Sequence, residues 1–125
     1  LTAIELNHNV NSEQGGRAGA HDAYDENYNQ FEYKISKSTS WNFQDISDNV
    51  LNKYREIRNF ILVRKDPFNI KIQTIYFVKV EPAITRLIEK LEEKKARAGG
   101  NLRRLQVSLT MRDIREIIEK EIVVE

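Results

Sequence analysis

Residues 59–64 read Asn-Phe-Ile-Leu-Val-Arg, with four apolar side chains in succession. Strand side chains alternate between the two faces of a sheet, so an unbroken apolar run of this length suits a strand covered on both faces. Asp66-Pro67 follows as a turn. Residues 70–80 then alternate, with Ile70, Ile72, Thr74, Tyr76, Val78 and Val80 on one face and Lys71, Gln73, Ile75, Phe77 and Lys79 on the other. This is the longest strand signal in the chain. A fold built on these two segments needs a sheet with cover above and below it.

The flanking segments supply helices for that cover. Asp45 is placed to cap a helix over 45–57, with Ile46, Val50, Tyr54 and Ile57 as its apolar stripe and Leu51 beside them. Trp41 and Phe43, just upstream, read as core or staple residues. Pro82 opens a helix over 83–98 with Ile84, Leu87, Ile88 and Leu91 inward, and Gly99-Gly100 stops it. Its charged end, 92–97, reads as a solvated face. Residues 103–109 alternate as a strand, with Leu105, Val107 and Leu109 on one face. Thr110 caps a last helix over 111–120, Asp113 being the capping-box acid and Ile114, Ile117 and Ile118 the inward residues. Ile122-Val123-Val124 is left as a small strand or a tail. At the other end, 1–8 read as the last turns of a helix with Ala3, Ile4 and Leu6 apolar, followed by a polar stretch, 9–17, loosened by Gly15-Gly16. The expected class is α/β, a mixed β-sheet flanked by helices.

The 125 residues are enough for one domain with a real core, spanning 1–125. Cysteine is absent, which excludes a disulfide scaffold, a thiolate zinc site and a cysteine nucleophile. Two histidines leave little for a His-based metal site. The net charge of +1 gives no global basic field, so binding to nucleic acid would need a local patch. Neither a membrane-spanning run nor a signal peptide is expected, and the absences fit the cytoplasm. The first residue is Leu1, inside an apparently helical segment, as expected of an excised or trimmed domain.

Chemistry concentrates in 15–34, GGRAGAHDAYDENYNQFEYK. This reads as a glycine-rich lead-in, a short strand carrying Asp22, a polar turn and a second strand carrying Glu32 and Lys34. On the second strand Phe31, Tyr33 and Ile35 take one face and belong on a core. Glu32 and Lys34 share the other, where folding does not ask for a carboxylate and an ammonium. If the connecting loop holds an odd number of residues, Asp22 joins the face of Glu32 and Lys34; an even loop puts Ala23 and Asp25 there. The odd loop also places Ala20, Asp22 and Tyr24 on one face. Two carboxylates at such range stay ionised together only with a cation between them. Hard oxygen ligands in ones and twos, with positions left for water, suit Mg²⁺.

Asp22 followed by Glu32-Tyr33-Lys34 on the next strand resembles the PD-(D/E)XK signature of type II restriction endonucleases and their relatives. Gly19-Ala20-His21-Asp22-Ala23 is similar to the Gly-x-x-Asp-Ala that often opens the motif, with His21 where the family commonly has proline. Glu-x-Lys recurs at Glu92/Lys94 and Glu93/Lys95, but within a helical run, where such pairs do not share a face. The resemblance implies a restriction-endonuclease-like core of helix, three strands, helix and strand. The 45–57 helix is then an insertion, or 59–64 and 70–80 together stand for one strand of the family. It further implies that Asp22, Glu32 and the Tyr33 carbonyl hold Mg²⁺, for which Mn²⁺ can substitute, and that Lys34 orients or activates the attacking water. Related enzymes sometimes add an acid from the preceding helix, which here is Glu5.

The implied partner is double-stranded DNA. Gln14, Arg17, Lys37 and Ser38 are of the residue types that reach phosphate. One such core cuts one strand at a time, so a homodimer or a further recognition domain is expected. The last helix and the 122–124 tail are the candidate surfaces for self-association, or else they pack on the core of their own chain. The competing expectations are a catalytically inert DNA-binding domain of the same fold and a protein-interaction domain.

Overall fold

The computed structural model describes residues 9–10, 23–24, 29–68, 71–100 and 104–124. In chain order the elements are β1 (Asn9–Val10), β2 (Ala23–Tyr24), β3 (Gln30–Ser36), β4 (Ser40–Phe43), α1 (Asp48–Tyr54), β5 (Asn59–Lys65), β6 (Ile72–Val78), α2 (Val80–Arg97), β7 (Val107–Thr110), α3 (Met111–Ile117) and β8 (Ile118–Val123). The main sheet is mixed, ordered β1-β2-β3-β5-β6-β8, and β4 and β7 form a second, two-stranded antiparallel sheet. The class is α/β. The expected 1–8 helix lies outside the described residues, and no helix among those described is long and apolar enough to cross a membrane.

β5 occupies the middle of the main sheet, parallel to β3 and antiparallel to β6. Asn59 to Val63 are all buried, as the unbroken apolar run requires. Phe60 and Leu62 look onto the larger core, with Tyr76 and Val78 beside them and Leu51, Tyr54, Ile84, Leu87 and Ile114 packed above. Ile61 and Val63 look the other way, into a smaller cluster with Phe31, Ile72 and Ile75. Asn59, the polar member of the run, donates from its amide to the Val78 carbonyl (3.2 Å) and to Glu119 Oε2 (2.9 Å), so both its N–H groups are satisfied.

β4 is a strand where sequence indicated only core or staple residues, Trp41 and Phe43. Its Trp41 and Phe43 are buried and join the small sheet to the large one. The Trp41 indole N–H donates to the Val63 carbonyl at 3.0 Å, and its ring meets Tyr76 edge-on at 5.7 Å. Phe43, Tyr54 and Phe60 form a mutually perpendicular trio at 5.0–6.4 Å between centroids. Such pairs contribute about 0.5–1.5 kcal/mol beyond area burial.

Other expectations shift in place. The N-cap of α1 is Ser47, whose side chain accepts from Val50 N–H, while Asp45 takes φ 55° two residues earlier. Both are capping residue types, and the Ile46 side chain decides between them by burying ahead of the helix. α1 is also shorter than 45–57, although Ile57 remains buried. Within the polar stretch 9–17, Asn9 and Val10 pair with Tyr24 and Ala23. In β6 a register shift at Arg64/Lys65 carries Ile72 into the cluster of Ile75 rather than onto the face of Tyr76. Ile88 is partly exposed at 36% and does not share the burial of Leu87 and Leu91. The final helix stops at Ile117, and residues 118–123 cross over to pair with β6. Ile117, Ile118, Ile122 and Val123 are β-branched and suit a strand, and the edge of β6 offers them backbone partners. The inward residues of α3 pack on the chain's own core.

α2 and β7 meet through a line of cations. Lys90 and Lys94, one helical turn apart, donate to the carbonyls of Ser108 (2.9 Å) and Gln106 (2.7 Å) on the edge of β7 away from β4. The 92–97 segment is therefore not merely a solvated face. Lys90 also contacts Asp113 Oδ2 at 2.5 Å, and Arg86 lies 3.7 Å from Asp113 Oδ1 and pairs with Glu116. Asp113 closes the expected capping box: Oδ2 accepts from Thr110 N–H (2.8 Å) and Thr110 Oγ1 (3.0 Å), and Asp113 N–H donates to Thr110 Oγ1 (3.4 Å). Burial pushes the Asp113 carboxyl up, but hydrogen bonds from Lys90 and Thr110 and the Lys90 charge outweigh it and hold it below the ordinary carboxylate value. A depressed carboxyl contributes stability at neutral pH that is lost as pH falls through the folded value. Asp113→Asn is expected to cost about 2 kcal/mol at neutral pH. Urea unfolding should show the gap to wild type narrowing as pH drops below the usual aspartate range, and a gap that widens would contradict this.

Candidate functional site

β3 brings Glu32 and Lys34 onto one face, with Ser36 next along it. The ladder sets Glu32 opposite Phe60 and Lys34 opposite Leu62, whose side chains point into the larger core. The charged pair thus lies on the helix-covered side, at the rim of that core, and both side chains are half-buried. On the other face Phe31 is buried and Tyr33 half-buried, as expected of a core face, but Ile35 is 55% exposed. Core lies on both sides of the sheet rather than under Phe31, Tyr33 and Ile35 alone.

β4 returns directly over β3 and fixes the surroundings of Lys34. Its ammonium stands 5.3 Å from the centroid of the Phe43 ring, within cation–π range. Phe43 is fully buried and packs edge-on against Tyr54 and Phe60 in the aromatic trio.

Among the other expected residues, Tyr33 lies between Glu32 and Lys34 on β3, opposite Ile61. Lys37 and Ser38 are exposed in the turn that follows β3. Ser38 shapes this turn: its N–H donates to Ser36 Oγ (3.0 Å), and its own Oγ accepts from Ser40 N–H (3.3 Å). Asp22, Glu5, Gln14 and Arg17 lie outside the described residues, as does Asp25, the alternative to Asp22. The backbone beside them has a definite register, Ala23 opposite Phe31 and Tyr24 opposite Gln30, across five intervening residues, 25–29. That count is odd.

Among the described residues no group of three or more His, Asp or Glu side chains is arranged to hold a metal ion. The described oxygen donors at the site are the Glu32 carboxylate and the Tyr33 carbonyl. Both are hard, and Mg²⁺ takes few protein ligands while keeping its waters, so these residues fit such an ion.

A polar cavity of about 460 Å³ opens elsewhere, between α2 and β7, lined by Asn42, Lys90, Glu93, Lys94, Arg97 and Ser108 among others. Two of its cations already bind the edge carbonyls of β7. Sequence reading missed the Arg86–Lys90–Asp113 cluster; the four-residue spacing of Arg86, Lys90 and Lys94 was the available signal.

Neither the models of known protein families nor the curated proteins include a match to this chain.

A half-buried pair at a rim should matter little to folding. Glu32→Gln and Lys34→Met are each expected to change stability by less than about 1 kcal/mol, measured by urea unfolding. A loss of about 3 kcal/mol or more in either would mark the pair as a structural element instead.

Proposed function

We propose that this chain carries the catalytic site of a Mg²⁺-dependent DNA endonuclease of the restriction-endonuclease type. The observation that carries the reading is the placement of Glu32 and Lys34 side by side on one face of a paired strand, with the ammonium steadied over Phe43. A strand inside a sheet holds such groups more accurately than a loop does. The resemblance of Asp22 and Glu32-Tyr33-Lys34 to the PD-(D/E)XK signature supplies the rest, including the role of Asp22.

In this reading Glu32, the Tyr33 carbonyl and Asp22 hold the ion, with Glu5 as a further acid. An ion held by these residues would supply Lewis-acid chemistry, polarisation of the scissile phosphate and activation of a water. Lys34 donates hydrogen bonds from Nζ to the attacking water or to a phosphate oxygen, countering the negative charge that grows in the transition state. Since one site cuts one strand, cleavage of both strands of a duplex calls for a homodimer or a recognition domain that brings two sites together.

Glu32→Ala and Lys34→Ala should each reduce cleavage at least 10²-fold, on the order expected for removal of a transition-state contact, while DNA binding and thermal stability stay near wild type. The measurement is conversion of supercoiled plasmid to nicked or linear form with Mg²⁺, against an EDTA control. Wild-type rates from either variant would overturn the assignment. A wild-type protein that binds DNA but never cuts it would be an inert relative of the same fold.

A further inference from the structure

One end of the main sheet gathers cations and an exposed aromatic that the proposed active site does not use. β3 and β5 run parallel and β6 runs back against β5, so the turn after β3 and the turn between β5 and β6 lie at the same end. That end carries Lys37, Arg64, Lys65 and Lys71, against one carboxylate, Asp66, among the described residues 36–39, 64–68 and 71. Arg64 is opposite Ser36 in the ladder. Ser36 follows Glu32 and Lys34 on the same face, which puts the Ser36–Arg64 pair about 7 Å beyond Lys34 along the strand.

Phe68 stands in the β5–β6 turn with 90% of its surface exposed, the largest value for a big apolar side chain among the described residues. Burying a phenylalanine is ordinarily favourable by about 1.5–3 kcal/mol, so folding gains nothing from holding it out. The turn is braced all the same. Asp66 Oδ1 accepts from Phe68 N–H at 2.7 Å, Oδ2 accepts from the Gln73 side chain at 3.3 Å, and Asp66 N–H donates to the Lys71 carbonyl at 2.8 Å. An exposed aromatic ring on a turn that also carries cations has the chemistry of a nucleic-acid contact: the ring packs on a base, and the cations meet phosphates.

We propose that this end of the sheet is a DNA-contact surface, on which Phe68 packs against a base while Lys37, Arg64, Lys65 and Lys71 face backbone phosphates. The choice of DNA rests on the nuclease reading, whereas the pairing of aromatic and cationic groups is independent of it.

The test is fluorescence anisotropy of labelled single-stranded and duplex oligonucleotides with the whole chain, in EDTA and across a salt series. Phe68→Ala should weaken binding roughly 5- to 100-fold, as loss of one stacked base does, with an unchanged melting temperature and an unchanged salt slope. Phe68→Trp should bind at least as well as wild type. Lys71→Ala should lower the slope of log K against log salt by about 0.9 on duplex. Wild-type affinity in Phe68→Ala, or no DNA binding by the wild-type chain at low salt, would overturn the proposal. So would unchanged DNA affinity accompanied by reduced self-association of Phe68→Ala in light scattering, which would make the tip a protein contact. Asn49→Ala, at an exposed position of α1, serves as the control. DNA binding that depends on Phe68 but never leads to cleavage would remove the nuclease reading and leave this surface standing.

Discussion

The fold depends on a single constraint, that β5 is apolar on both faces and sits in the middle of the sheet. Phe60, Ile61, Leu62 and Val63 are completely buried, alternating between two cores. Together their burial contributes on the order of 10 kcal/mol before chain entropy is set against it. Ile61 and Val63 pack on one face with Phe31, Ile72 and Ile75 of the neighbouring strands, and Phe60 and Leu62 meet a covering layer on the other. That layer is α1, α2, α3 and the small β4–β7 sheet, drawn down by Trp41 and Phe43. The Trp41 N–H to Val63 carbonyl bond pins this upper layer to the strand it covers.

The same constraint produces the candidate site. β3 is next to β5 and parallel to it, so its side chains inherit the facing of the buried strand. Glu32 and Lys34 fall on the side of Phe60 and Leu62, at the point where the covering layer runs out. Their backbone is as fixed as the core, while their side chains are only half-buried. Asp113 offers the contrast within one molecule. It too is a carboxylate beside cations, but it is buried, it caps α3, and Lys90 and Thr110 saturate Oδ2. That cluster ties α2, β7 and α3 together.

Where side-chain pattern alone decides an element, the sequence was readable. The apolar run at β5, the alternation in β3 and, from Thr74 to Val78, in β6, the glycine stop after α2 and the Thr110–Asp113 capping box all stand in the structure. Elements chosen by tertiary partners were not readable. Ser40–Phe43 becomes a strand because β7 pairs with it, and Ile118–Val123 leaves its helical pattern because β6 has an edge to fill. The register shift beside Arg64 moves Ile72 to the opposite face, and no residue pattern announces it. Within the site, the shared face of Glu32 and Lys34 followed from period-two alternation. The Phe43 platform under Lys34 did not, because it depends on β4 returning across β3.

The central claim is that the Glu32 face of β3 is a metal-dependent catalytic centre. Its most direct test is anomalous diffraction from crystals of the chain soaked in Mn²⁺. The account predicts a peak within about 2.2 Å of a Glu32 carboxylate oxygen, a distance set by small hard divalent ions and oxygen ligands. Mn²⁺ bound at other carboxylates, with none at Glu32 under saturating conditions, would contradict it.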